Sequence, residues 1–345
     1  MKISIWHDNR DIRVHDAPVP EPGPGEVLLK VMACGICGSD IVEWYRLPRA
    51  PLTQGHEIGA RVEKVGPGVS RFKPGDRVMA APKVPCLECA YCRDGHFPQC
   101  SEVKERLSGG FAQYVLVPKV IVENGLYPLP ASISYEQATF IEPLACVVRA
   151  ARIGGVTEKR TVLVLGSGIS GLLHIRLAML RNCVVAATDL NPRKLELAGR
   201  AGARILIPAG DDVQSVPARL IRETGRKADV VILCTGALPA VEQAWQSVDK
   251  GGAVVFFAVP DPGKRVVIPI NDFWTKEVRI LTSYYCGPPD IREAMDLLAS
   301  GKIEVDSLVT HRLPLEKIAA GFALMLEGKD AVKVIIEPNG PSRNG

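Results

Sequence analysis

The stretch TVLVLGSGISG, residues 161–171, decides the fold. Thr161 to Leu165 are β-branched or leucine and read as a buried strand. They run straight into Gly166-x-Gly168-x-x-Gly171, with Ile169 and Ser170 between the second and third glycines. LLHIRLAMLR follows with apolar residues at helical spacing, and VVAATD then reads as a second strand ending in Asp189. Strand, glycine-rich turn, helix, strand and terminal acid, in that order, form a dinucleotide-binding unit. The glycines allow a tight turn and close backbone approach, and the helix N-terminus faces a pyrophosphate. Asp189 can accept hydrogen bonds from ribose hydroxyls and would repel a 2′-phosphate, which favours NAD over NADP. Arg193 and Lys194, close behind in DLNPRK, temper that preference.

Outward from this unit, ADVVILCTG (228–236), GGAVVFFAVP (251–260) and VRILTSYYC (278–286) read as further strands of the same sheet. Loops after such strands contact the cofactor, here around Thr235, Ala258, Val259 and Ser283. Residues 149–286 are therefore expected to form a doubly wound α/β domain. Residues 1–148 alternate short strands with Pro/Gly turns, as in DAPVPEPGPGEVLLKV, which suits a distorted β-barrel.

Four cysteines crowd into VPCLECAYCRDGHFPQC, residues 84–100, spaced C-x2-C-x2-C-x7-C. Cys86, Cys89, Cys92 and Cys100 suit one tetrahedral zinc ion. Such a site has no open position, so it is structural. Upstream, CGICGSD (34–40) and GHEIG (55–59) supply Cys37, His56 and Glu57. One thiolate, one imidazole and one carboxylate suit a catalytic zinc with an exchangeable position.

The whole-chain numbers are bland. Of 345 residues, 42 are Lys or Arg and 38 Asp or Glu, a net charge of +4. That field is too weak to indicate a nucleic-acid or membrane-surface partner. The N-terminus has no signal-peptide pattern, and no run approaches the ~18 apolar residues of a membrane span. A soluble, cytoplasmic protein with reduced thiols is expected.

A cysteine in GICGSD, then GHE, then the four-cysteine loop, then the dinucleotide fingerprint: this order resembles the zinc-dependent medium-chain dehydrogenase/reductase family over nearly the whole chain. IEPLA (141–145) is similar to its sorbitol and threonine dehydrogenase branch. The resemblance implies a GroES-like β-barrel catalytic domain plus a doubly wound Rossmann domain. Residues 287–345, with helix patterns IREAMDLLASG and LEKIAAGFALMLEG, would return to the catalytic domain. It implies two Zn2+ per chain. Cys37 and His56 would hold the catalytic one, completed by Glu142 or Glu57, with Glu142 preferred by position and Cys146 a competitor. Asp40 would orient His56, Ser39 would take the substrate proton, and Lys194 would contact the ribose. Many members carry a histidine where this chain has Val42, so proton exit would run to water or through Glu43. The implied reaction is hydride transfer from a secondary hydroxyl of a small-molecule polyol, cyclitol or sugar to NAD, in a homodimer or homotetramer. A 3-hydroxy amino acid such as threonine is the alternative substrate. A non-catalytic, zinc-stabilised binding protein is the rival from another class.

Overall fold

The computed structural model describes residues 1–103, 105–210 and 212–341. The chain divides into two compact units, one of Met1–Pro143 with Cys286–Gly345, the other of Leu144–Tyr285. The first division falls inside the helix Ile141–Gly154, the second just after a strand.

In the second unit the quoted stretch forms the strand Thr161–Leu165 and the helix Ile169–Leu180, and VVAATD forms Val184–Asp189. Six parallel strands lie in the order Ile205–Pro208, Val184–Asp189, Thr161–Leu165, Ala228–Leu233, Val248–Phe256, Arg279–Thr282. By sequence this is 3-2-1-4-5-6, the doubly wound order. Every residue of Thr161–Leu165 and Ala228–Leu233 is buried. Helices cover both faces of such a sheet, so its central strands have no polar side and read as unbroken apolar runs. Leu163, Val231, Leu233, Val254 and Phe256 pack with Trp245 and Phe273 into one core. Each such side chain contributes about 1.5–3 kcal/mol by leaving water. The chain order reverses beside Thr161–Leu165, which places the glycine turn at the crevice where these sheets bind ligands.

The first unit is built on Val27–Gly35. This strand pairs antiparallel with Glu57–Val65, with Lys333–Glu337 and with Tyr114–Val117. Arg77–Ala80, Leu126–Pro128 and Val309–Pro314 complete a seven-stranded sheet, only its Val309–Pro314/Lys333–Glu337 pair being parallel. Val27, Leu29, Val31, Ile58, Phe111 and Phe322 are core residues, the two phenyl rings meeting edge to face at 6.0 Å. The C-terminal segment is thus integral to this sheet: Ile335 lies opposite Gly35 and Ile336 opposite Cys34. A separate ribbon, Lys83–Val84 with Glu105–Arg106, brackets the cysteine-rich loop. Among the described residues no helix is long and apolar enough to cross a membrane.

Candidate active site and metal centres

Strand register assembles the first cluster. Gly35, at the end of one strand, is paired with Glu57, at the start of its neighbour. Cys37 lies two residues beyond the first and His56 one residue before the second, so the pairing brings them together. Ligand atoms of Cys37, His56 and Glu57 all lie within 4.8 Å of one another. Cys37 caps a short 3-10 turn, Gly38–Ile41, and its Sγ accepts from the Ser39 backbone N–H and hydroxyl, both at 3.4 Å. The Cys37 N–H donates to Asp40 Oδ2 at 3.0 Å, and His56 Nδ1 lies 3.4 Å from Asp40 Oδ1. A carboxylate on one ring nitrogen leaves the other for a metal bond and fixes the ring's orientation. Burial opposes a charged imidazole here, but Asp40 and Cys37 outweigh it and hold the His56 pKa well above its ordinary value. Burial likewise raises the Cys37 thiol. The metal-free pocket therefore retains protons that a cation displaces on binding. A soft thiolate, an imidazole and a carboxylate gathered round one point fit zinc.

Two side chains at this cluster have no counterpart in the sequence reading. Arg46 is nearly buried and donates to Ser39 Oγ, the Ser39 carbonyl and Asp40 Oδ1. Lys333, on the C-terminal strand, is fully buried; its ammonium donates to Glu57 Oε2 and lies 5.0 Å from the centre of the Phe140 ring. Gly35 makes that ion pair possible. It sits on the strand between the two partners, and a Cβ there would overlap both Glu57 Oε2 and Lys333 Nζ. In sequence the only hint was a lysine inside the apolar run AVKVII; Arg46 had none. Of the two glutamates considered for the third ligand, Glu57 joins the Cys37–His56 cluster. Glu142 is not in that cluster; its carboxylate lies within 4.8 Å of Cys286 Sγ. Glu43 turns away, its Oε1 accepting from the Asn9 N–H at 3.1 Å.

The second cluster is local. Ligand atoms of Cys86, Cys89, Cys92 and Cys100 lie within 4.8 Å of one another. Cys86 and Cys92 sulfurs are 3.9 Å apart, against about 3.8 Å for the edge of a tetrahedron with ~2.3 Å zinc–sulfur bonds. Backbone N–H groups point at sulfur: Cys86 to Cys100 Sγ at 3.2 Å and Cys89 to Cys86 Sγ at 3.3 Å. N–H groups of Cys92 and Ser101 lower the Cys89 pKa to about 6. Four sulfurs already gathered, with backbone N–H groups aimed at several of them, fit a closed zinc site.

At the glycine turn, Gly166 has φ +96°, and a Cβ on Gly171 would strike the Gly166 carbonyl. Each Asp189 oxygen accepts one backbone N–H, Oδ2 from Ser167 and Oδ1 from Asn191, both at 2.8 Å. The acid that ends the second strand thus also pins the turn, with lone pairs to spare for ribose hydroxyls. Gly168 has open space where a Cβ would stand, and the Ser283 hydroxyl is buried without a hydrogen-bond partner. An uncrowded helix N-terminus and an orphaned hydroxyl past the last strand fit a dinucleotide. Thr235 follows the strand Ala228–Leu233, its Oγ1 accepting from the Ala237 N–H, and Ala258 and Val259 follow Val248–Phe256. Arg193 and Lys194 open the helix Pro192–Arg200.

A doubly wound dinucleotide unit joined to a β unit with an open Cys–His–Glu cluster and a closed four-cysteine cluster defines a zinc-dependent oxidoreductase. Known proteins agree. The alcohol dehydrogenase GroES-like domain matches residues 23–130 and the zinc-binding dehydrogenase domain residues 170–300. Sorbitol dehydrogenase of Gallus gallus is 32% identical over 355 residues, covering 99% of this chain and 97% of its own. (R,R)-butanediol dehydrogenase of Bacillus subtilis is 32% identical over 364 residues, covering 98% and 100%. A zinc-binding dehydrogenase of Sinorhizobium meliloti, solved with NADP, superposes with a TM-score of 0.85 at 31% identity, covering 98% of this chain and 99% of that one. The chain belongs to the zinc-containing medium-chain dehydrogenase family, as an alcohol or polyol dehydrogenase that uses a nicotinamide dinucleotide.

Proposed function

We propose that the protein oxidises a secondary hydroxyl of a polyol, cyclitol or sugar with NAD. The observation that carries this is the Cys37–His56–Glu57 cluster with the Ser39 hydroxyl 3.4 Å from Cys37 Sγ. Cys37, His56 and Glu57 would hold the catalytic zinc, and Cys86, Cys89, Cys92 and Cys100 the structural one. When bound, zinc supplies a Lewis acid that eases loss of a hydroxyl proton, and the dinucleotide supplies the hydride acceptor. Ser39 Oγ receives the substrate's proton and releases its own to water. Asp40 keeps the His56 ring oriented, and Lys333 balances the Glu57 charge. Sorbitol and butanediol, named for the two relatives above, both carry neighbouring hydroxyls, which favours a polyol here. The Asp189 carboxylate favours NAD, although the Sinorhizobium relative was solved with NADP.

The test is a screen of polyols, cyclitols, sugars and amino alcohols with NAD and NADP, read by reduced-nicotinamide absorbance. Turnover of a polyol with NAD preferred is the expected result. Preference for threonine or for NADP would overturn the corresponding part, and no turnover with two zincs bound would overturn the whole.

A further inference from the structure

We propose that Arg46 is a positioning residue, one that holds the Ser39 hydroxyl and the Asp40–His56 pair in a single frame. This rests on the reading of Ser39 as the group that receives the substrate's proton. Arg46 closes a short helix, Glu43–Arg46, and only 8% of its surface is exposed. Its Nε donates to the Ser39 carbonyl at 3.0 Å, and its Nη2 donates to both Ser39 Oγ and Asp40 Oδ1 at 2.9 Å. Asp40 Oδ1 is the oxygen that faces His56 Nδ1. One guanidinium nitrogen therefore touches the proton-handling hydroxyl and the carboxylate that aims a metal-ligand histidine.

The chemistry of the donor matters. A guanidinium has five N–H groups and no acceptor, so Ser39 Oγ must accept in this bond. That leaves the hydroxyl's own hydrogen pointing elsewhere, toward Cys37 Sγ or an incoming partner. A cationic donor also stabilises the charge that grows on Oγ as its proton leaves. Arg46 takes no proton itself. It serves as a fixed planar fork of donors, not as a proton relay. Lysine cannot replace it, because a single ammonium on a flexible stem lacks the planar fork that spans three acceptors. The Tyr45 ring, 5.1 Å from the Arg46 Cζ, braces the guanidinium from another side.

The test compares Ser39→Ala, Arg46→Ala and the double variant, using sorbitol or whichever alcohol of the panel turns over fastest. Zinc per chain is measured beside kcat, KM and the solvent deuterium isotope effect. Arg46→Ala should lose about a hundredfold in kcat with little change in KM, the scale of a misplaced proton-transfer group. Its isotope effect should rise, and free guanidinium should restore part of the rate where sodium chloride at equal ionic strength does not. The double variant should be slower than Ser39→Ala by far less than the roughly hundredfold that Arg46→Ala costs alone, the remainder being the lost Asp40 contact. Should Arg46→Ala fail to fold, Arg46→Lys carries the test, with a loss of about tenfold or more expected. Multiplying losses in the double variant, loss explained by missing zinc, or full activity in Arg46→Lys would overturn the role of Arg46. Full activity in Ser39→Ala would overturn the reading beneath it, and that single variant tells the two failures apart.

Discussion

The side chains of Glu57 and Lys333 are only 2% and 1% exposed and face each other across Gly35. Removing one partner strands a charge in a medium that solvates it poorly, at a cost of about 3–5 kcal/mol. Lys333→Met should therefore destabilise the chelator-treated protein by that amount in urea unfolding, and Glu57→Gln in the same chain should recover most of it. A Lys333→Met protein as stable as wild type would show that the pair is not needed. A second consequence concerns Glu43, which the sequence left as a candidate proton exit. Its carboxylate is engaged by the Asn9 N–H, and the neighbour of the Ser39 hydroxyl is Arg46. Glu43→Gln should leave turnover within about twofold, since no proton-transfer step is lost. A fall of about tenfold would make Glu43 the relay.

Among the elements, the zinc-lobe loop and the helix behind the glycine turn make separate demands. Cys92→Ser should release one zinc per chain and lower Tm, because metal binding in such loops is folding energy. Turnover per folded molecule should persist; loss of both ions from a folded chain would contradict two independent centres. In the helix Ile169–Leu180, His174 is 1% exposed, packs edge-on against Phe257 at 4.9 Å, and its Nε2 has no hydrogen-bond partner. Burial, aided by Arg181, lowers its pKa to about 3. The unfolded chain protonates this imidazole near pH ~6.5 and the native chain does not. Stability is therefore whole above about pH 6.5 and falls by roughly 1.4 kcal/mol per unit below it, until about pH 3. His174→Leu should remove that slope, so its Tm advantage over wild type should widen between about pH 7 and pH 5. Parallel Tm curves would refute the assignment.

These elements also show what the chain discloses before it folds. The strands at 161–165 and 228–233 were legible because burial on both faces writes an unbroken apolar run. The four-cysteine loop was legible because its ligands lie within fifteen residues. The ion pair of Glu57 with Lys333 was not, because 276 residues separate the partners and only strand pairing joins them. Arg46 was hidden for a different reason: an arginine in an EWYR segment reads as a solvated charge until the turn at Gly38–Ile41 is seen to fold beneath it.

For the molecule as a whole, the six-stranded sheet ends on Arg279–Thr282, an edge whose outer backbone groups pair with no strand among the described residues. Beside Ile280 of that edge, Trp274 and Ile270 are 80% and 63% exposed. Edge strands beside apolar surface invite a further strand, and a second copy of the same edge supplies a self-complementary one. On the expectation of a homodimer or homotetramer, Trp274→Glu should shift the mass measured by light scattering toward the monomer. A monomeric wild-type protein, or a variant of unchanged mass, would remove this edge from the assembly.

The first unit takes its strands from both ends of the chain, and this sets a schedule during synthesis. Cys37, His56 and Glu57 leave the ribosome well before the strand bearing Lys333. Residues 144–285 intervene, and at ~5–20 residues per second they take about 7–30 s to be made. Through that interval the central strand Val27–Gly35 lacks one of its three neighbours, and Glu57 has no ammonium opposite it. The nascent chain thus holds its metal-binding side chains for many seconds before it can seal them in, and the stretch from Cys286 onward decides when the site becomes a closed chemical environment.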